Sequence, residues 1–137
     1  MSDAERRRRE RAERATEHRV AHDRQRELES ERAQEIVNDF VSKALDAGLP
    51  AERLTARPWS GRGRYRTGLV GWYLRSDRSL GVSTDGGYYV LTVPPRRLGR
   101  WRTLTLTPRP PPLQVGEGAR DGESVALDVL LRERLGR

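Results

Sequence analysis

The sequence predicts an α+β fold: a long N-terminal helix, a four- or five-stranded antiparallel meander sheet and a short C-terminal helix. Three observations carry this expectation. Residues 3–47 hold neither proline nor glycine and then meet Gly48 and Pro50. Residues 64–93 contain three strand-like runs separated by turn residues. Residues 124–135 return to helical spacing, with Leu127, Leu130, Leu131 and Leu135 on one side. Strands grouped together and flanked by helices, rather than alternating with them, argue against an α/β layout.

The first helix starts at Ser2, because Ser followed three residues later by Glu5 is a capping-box pattern. It stops at Gly48, which suits a left-handed position after a helix, and at Pro50, which cannot continue one. A helix over 3–47 is about 67 Å long at 1.5 Å per residue, so its first half must project from a small body. Up to about residue 27 it is expected to be held by charge pairs four apart: Glu5–Arg9, Arg6–Glu10, Arg9–Glu13 and Glu10–Arg14. Ala4, Ala12, Ala15, Val20, Ala21 and Leu28 make no sustained heptad, so the arm reads as solvated and partly frayed rather than as a strong coiled coil. Ile36, Val37, Phe40, Val41, Ala44 and Leu45 then form an apolar stripe that needs a surface to cover. The chain accordingly divides into an Arg/Glu-rich arm over 1–35 and a small α+β domain over 36–137.

A short strand is expected over 54–59, followed by the loop Ser60-Gly61-Arg62-Gly63. The meander follows, with strands over 65–75, 79–84 and 88–93. Asp85-Gly86 reads as a two-residue hairpin turn with both residues at positive φ. Alternation places Tyr89, Leu91 and Val93 on one face, and one face of the sheet against the helix stripe; the other shows threonines, arginines and some aromatics. Pro94-Pro95 ends the meander, and 96–102 is a basic loop carrying Trp101. Thr103 to Thr107 alternates as a strand, with Leu104 and Leu106 inward. The connector over 108–112, PRPPP, is extended and cannot be a central strand. Leu113 and Val115 add an edge segment, 116–122 is a loop, and Ser124 caps the last helix.

The net charge is +7, but its location matters more than its size. Residues 53–109 carry twelve arginines and two acids, Asp77 and Asp85, whereas 1–32 carry ten arginines against nine acids. The basic field therefore sits on the sheet, and such a field attracts polyanions: nucleic acid or an acidic protein. Lys43 is the only lysine among 27 basic residues, which also suits a high-GC bacterium whose solvated faces use arginine in place of lysine. The chain holds no cysteine, which removes disulfides, thiol catalysis and thiolate metal sites and fits a reducing compartment. The N-terminus lacks an apolar signal core and no apolar run reaches membrane length, so a cytoplasmic protein is expected.

His18 and His22 share one helix side at a spacing that can hold zinc, but no third ligand or supporting shell is recognisable, and no metal or cofactor is expected. No histidine lies beyond the arm, so acid–base chemistry in the body would fall to Asp, Glu or Tyr. Asp77 and Asp85 are explained by turn chemistry. The stretch from Ser60 to Arg66 is the leading binding element: glycines allow close backbone approach, and Arg62, Arg64 and Arg66 at alternate positions can share one side and chelate phosphates. No G-K-[ST] follows, so it is not a P-loop. Trp59, Tyr65 and Trp101 beside Arg96, Arg97, Arg100 and Arg102 complete the basic and aromatic mixture that holds single strands. The sequence thus points to a non-catalytic binding protein for nucleic acid or another polyanion. The alternative is an assembly factor that docks, or forms oligomers, through the helical arm or the proline-rich segment. A small enzyme working through Asp, Glu or Tyr ranks third.

Overall fold

A computed structural model describes residues 2–97, 102–116 and 123–137. Helix α1 (Asp3–Asp46) leads into β1 (Glu52–Pro58), β2 (Tyr65–Tyr73), β3 (Leu80–Ser83), β4 (Tyr88–Val90) and β5 (Thr92–Val93). Strands β6 (Gln114–Gly116) and β7 (Ser124–Ala126) form a separate antiparallel pair, and α2 (Leu127–Leu135) follows. The class is α+β, with one five-stranded mixed sheet in the order β4-β3-β2-β1-β5. No helix among the described residues is long and apolar enough to cross a membrane.

Ser2 caps α1 as its sequence demands, its hydroxyl accepting the Glu5 N–H at 3.2 Å. The helix runs unbroken to Asp46, about 66 Å at 1.5 Å per residue. Every residue from Ser2 to Glu29 is exposed, and the first buried position is Ala33. The expected pairs four apart in the arm are not closed; its ion pairs are Arg6–Asp3 and Arg32–Glu35, both three apart. Solvated guanidiniums gain little from any single partner.

Val37, Phe40, Val41 and Ala44 are buried as the stripe requires, but Leu45 is 56% exposed and Ile36 only half-buried. Leu45 lies one position beyond the arc that the body covers. Against this stripe pack Trp72, Leu74, Leu80, Val82 and Tyr88 from the sheet and Leu127, Leu130 and Leu131 from α2. The indole of Trp72 meets Phe40 edge-on at 5.6 Å and donates its N–H to the Leu49 carbonyl at 3.1 Å. An apolar ring with one satisfied polar atom can then be fully buried.

The opposite sheet face is not the exposed threonine and arginine face that alternation implies. Leu54, Tyr73, Tyr89 and Leu91 are buried together there, and Ala56, Val93 and Leu104 extend the layer. The reason is curvature. The register between β1 and β2 slips between Leu54 and Thr55, a bulge whose extra residues are Thr67 and Gly68. Gly68 takes φ +71°, open to glycine and costly for other residues, and the strand bends there. The sheet curls until its two edges share Leu91, whose N–H donates to Ser79 at 2.8 Å and whose carbonyl accepts from Arg57 at 2.9 Å. The single strand expected over 88–93 therefore serves as two: β4 is antiparallel to β3 and β5 is parallel to β1.

Other expectations shift in the same way. At the β3–β4 turn only Gly86 has positive φ, at +93°. Asp85 keeps an ordinary conformation and holds the turn with its carboxylate, which accepts from the Ser83 hydroxyl and the Gly87 N–H. Residues 103–107 form no strand ladder, although Leu104 is buried and the threonines are exposed as their alternation requires. Ser124 lies in β7 rather than at a helix cap; α2 begins at Leu127, after Ala126, which makes no side-chain cap.

Candidate nucleic-acid interface

Tyr65 organises the arginine-bearing end of the sheet. Its ring is half-buried against Ala56, Val93 and Leu104. Its hydroxyl donates to the Arg96 carbonyl at 3.0 Å and accepts the Arg96 N–H at 3.0 Å. The hydroxyl thus makes the ring a brace between two segments. The brace has a consequence for charge, because it fixes the segment holding Arg96 and Arg97 against the segment holding Arg62, Arg64 and Arg66, 31 residues apart in the chain. A third segment joins them where the Leu104 N–H donates to the Arg66 carbonyl at 2.7 Å, which places Arg102 beside the start of β2.

Arg62, Arg64, Arg66, Arg96, Arg97 and Arg102 are all exposed. Of the three loop arginines only Arg66 lies in β2, which starts at Tyr65, and Gly63 at φ +102° interrupts the extended path between Arg62 and Arg64. Arg100 and Trp101 lie outside the described residues. The ion pairs Lys43–Asp39 and Arg132–Asp128 lie on the helices. The two acids between Arg53 and Arg109, Asp77 and Asp85, serve turns. Burial pushes the Asp77 carboxyl up, but the Ser79 hydroxyl and N–H, with Arg75 and Arg57, outweigh it and hold it below its ordinary value.

Trp59 is 66% exposed, although its backbone N–H is tied to Val93 at 3.0 Å. Its indole borders a groove of about 460 Å³ between β5 and the extended segment around Thr105. Val93, Pro94 and Leu106 supply apolar wall, and Arg96 and Arg109 supply cations. Arg109 is a residue that sequence reasoning left inside a proline-rich connector. Its N–H donates to the Tyr88 carbonyl at 2.8 Å, an isolated bridge that pins the connector to β4. A single arginine among prolines gives no signal for such a long-range contact. A second groove, about 420 Å³, lies at the bulge and includes Arg53, Arg66 and Thr103.

Chemically, this end offers guanidiniums for phosphates, one exposed indole for a base and apolar wall beneath it. His18 and His22 are exposed on α1, far along the chain from these arginines, and no group of three or more His, Asp or Glu among the described residues is placed to hold a metal ion. The chain matches no family model, no curated protein and no solved structure.

Proposed function

We propose that the protein is a non-catalytic binding protein that holds a single-stranded nucleic acid at the Tyr65-braced end of its sheet. The observation that carries the reading is the double hydrogen bond between Tyr65 and Arg96, which draws two arginine segments together beside the exposed indole of Trp59. Arg62, Arg64, Arg66, Arg96, Arg97 and Arg102 take phosphates, and Trp59 stacks on a base above the groove. The sequence tolerance of stacking makes this a strand-binding surface and not a reader of one sequence.

The test is a salt titration with a single-stranded oligonucleotide. Each phosphate contact contributes a slope of about −0.7 in a log–log plot. Replacing Arg62, Arg64 and Arg66 together by alanine flattens the slope by about 2 units, and Trp59 fluorescence is quenched on binding. An unchanged slope in the triple variant removes these three residues from the site, and absence of binding at low salt removes the reading. The competing reading, a protein-assembly factor, draws on the exposed length of α1. The proline-rich segment suits it less, since Pro111 is buried and Arg109 is bridged to β4.

A further inference from the structure

The arm nearly balances its charges, yet the helix sorts them by side. At 3.6 residues per turn, Arg7, Arg11, Arg14, His18, His22 and Gln25 recur at intervals of three and four and make one row. The same row, interrupted by Glu29, continues to Ile36 and Phe40, which pack on the body. Arg8, Arg19 and Arg26 run beside it, in phase with the buried Ala33, Val37 and Ala44. On the other side of the helix, Glu10, Glu13 and Glu17 stand in phase with Glu31, Glu35 and Asp39. Arg6, Arg9 and Arg24 are the bases that fall on this acidic side.

We infer that the body-facing side of the arm is a phosphate rail, and that a nucleic-acid strand held by the body also lies along it. This rests on the reading above and extends it from the sheet to the helix. The rail carries Arg7, Arg8, Arg11, Arg14, Arg19 and Arg26 over a length of about 29 Å at 1.5 Å per residue, most densely in its first two turns. A row of guanidiniums along one side of a helix suits a phosphate backbone running beside it. The acidic side repels the same strand, so the near-zero charge of the arm hides an orientation: a polyanion is accepted on the side where the body stands and refused on the other.

The experiment uses the full chain and two triple variants with the same change in charge. Arg7, Arg11 and Arg14 are replaced by Gln in one, and Arg6, Arg9 and Arg24 by Gln in the other. All six positions are exposed, and circular dichroism checks that the helix is kept. Binding of a long single-stranded oligonucleotide is measured against salt. The expected result is a slope flattened by about 2 units in the first variant and held in the second. Equal slopes in the two variants overturn the rail, since the arm would then act as bulk charge or not at all. If the Arg62/Arg64/Arg66 variant flattens while the first arm variant does not, the rail falls and the sheet site stands. No binding by the unaltered chain takes both down. Tighter binding to polyglutamate than to the oligonucleotide at equal salt overturns the rail in favour of an acidic protein partner.

Discussion

Phe40 and Asp85 show how differently single residues hold this protein. Phe40 is 2% exposed and meets Trp72 edge-on, so its contribution is packing. Phe40→Ala removes a buried ring and leaves a cavity between α1 and the sheet; chemical denaturation should read a loss of about 3–5 kcal/mol. A near-neutral result would mean that this side of α1 is free. Asp85 contributes through charge. The Ser83 hydroxyl and the Gly87 N–H stabilise its carboxylate and hold its pKa below the ordinary value. A group whose pKa is depressed on folding stabilises the fold above its unfolded pKa, and that contribution is lost as pH falls through the folded one. Asp85→Asn should therefore flatten the acid limb of a stability–pH profile while changing its shape at neutral pH little. An acid limb identical to that of the unaltered chain would show that the turn gains nothing from ionisation. At this scale the sequence was informative about Phe40, whose spacing marks it as core, and silent about the bracing of Tyr65, whose half-buried ring and hydrogen-bonded hydroxyl depend on a partner 31 residues away.

Helix α1 is the element with the sharpest internal contrast. Its first half buries nothing, and its last turns carry Val37, Phe40, Val41 and Ala44 into the core. Deleting residues 1–27 should leave the cooperative thermal transition almost unchanged, because the lost part contributes little hydrophobic stabilisation. A marked drop in transition temperature that depends on protein concentration would show that the arm packs against another copy. The helix was legible from its cap, its lack of breakers and its apolar stripe, which are all local. The strands were legible in number and rough position but not in pairing. Nothing in Tyr88–Val93 announces that the run changes neighbours at Leu91, since that follows from a bend made at Gly68 in another strand. The threonine segment shows the same limit: its alternation is obeyed by burial, yet it forms no strand and its backbone meets the sheet where the Leu104 N–H donates to the Arg66 carbonyl.

At the scale of the whole molecule, the main core is shared by α1, the outer sheet face and α2, so removal of one layer is felt by the others. Truncation before Ser124 takes away Leu127, Leu130 and Leu131, each contributing about 1.5–3 kcal/mol of burial. Their sum is comparable to the whole stability expected of a small domain, about 5–15 kcal/mol. The truncated chain should lose its near-ultraviolet dichroism and its cooperative transition, and a sharp calorimetric peak would contradict the shared core. The candidate site is also a property of the whole. Its arginines were visible as a composition bias between 53 and 109, but three separate segments bring them to one end.

By itself the sequence determined the class of the fold, the length and start of α1, the core positions Val37, Phe40, Val41 and Ala44 and the abundance of cations in the middle of the chain. These follow from rules that act within a few residues: helical spacing, capping, strand alternation and charge. The tertiary structure decided the curl of the sheet, the burial of its second face, the parallel β1–β5 pair and the gathering of Arg62–Arg66 with Arg96 and Arg97. It also decided how far along α1 the body reaches, with Ala33 the first buried position. Each of these depends on contacts between residues far apart in the chain, whose pairing is selected by packing the whole core at once.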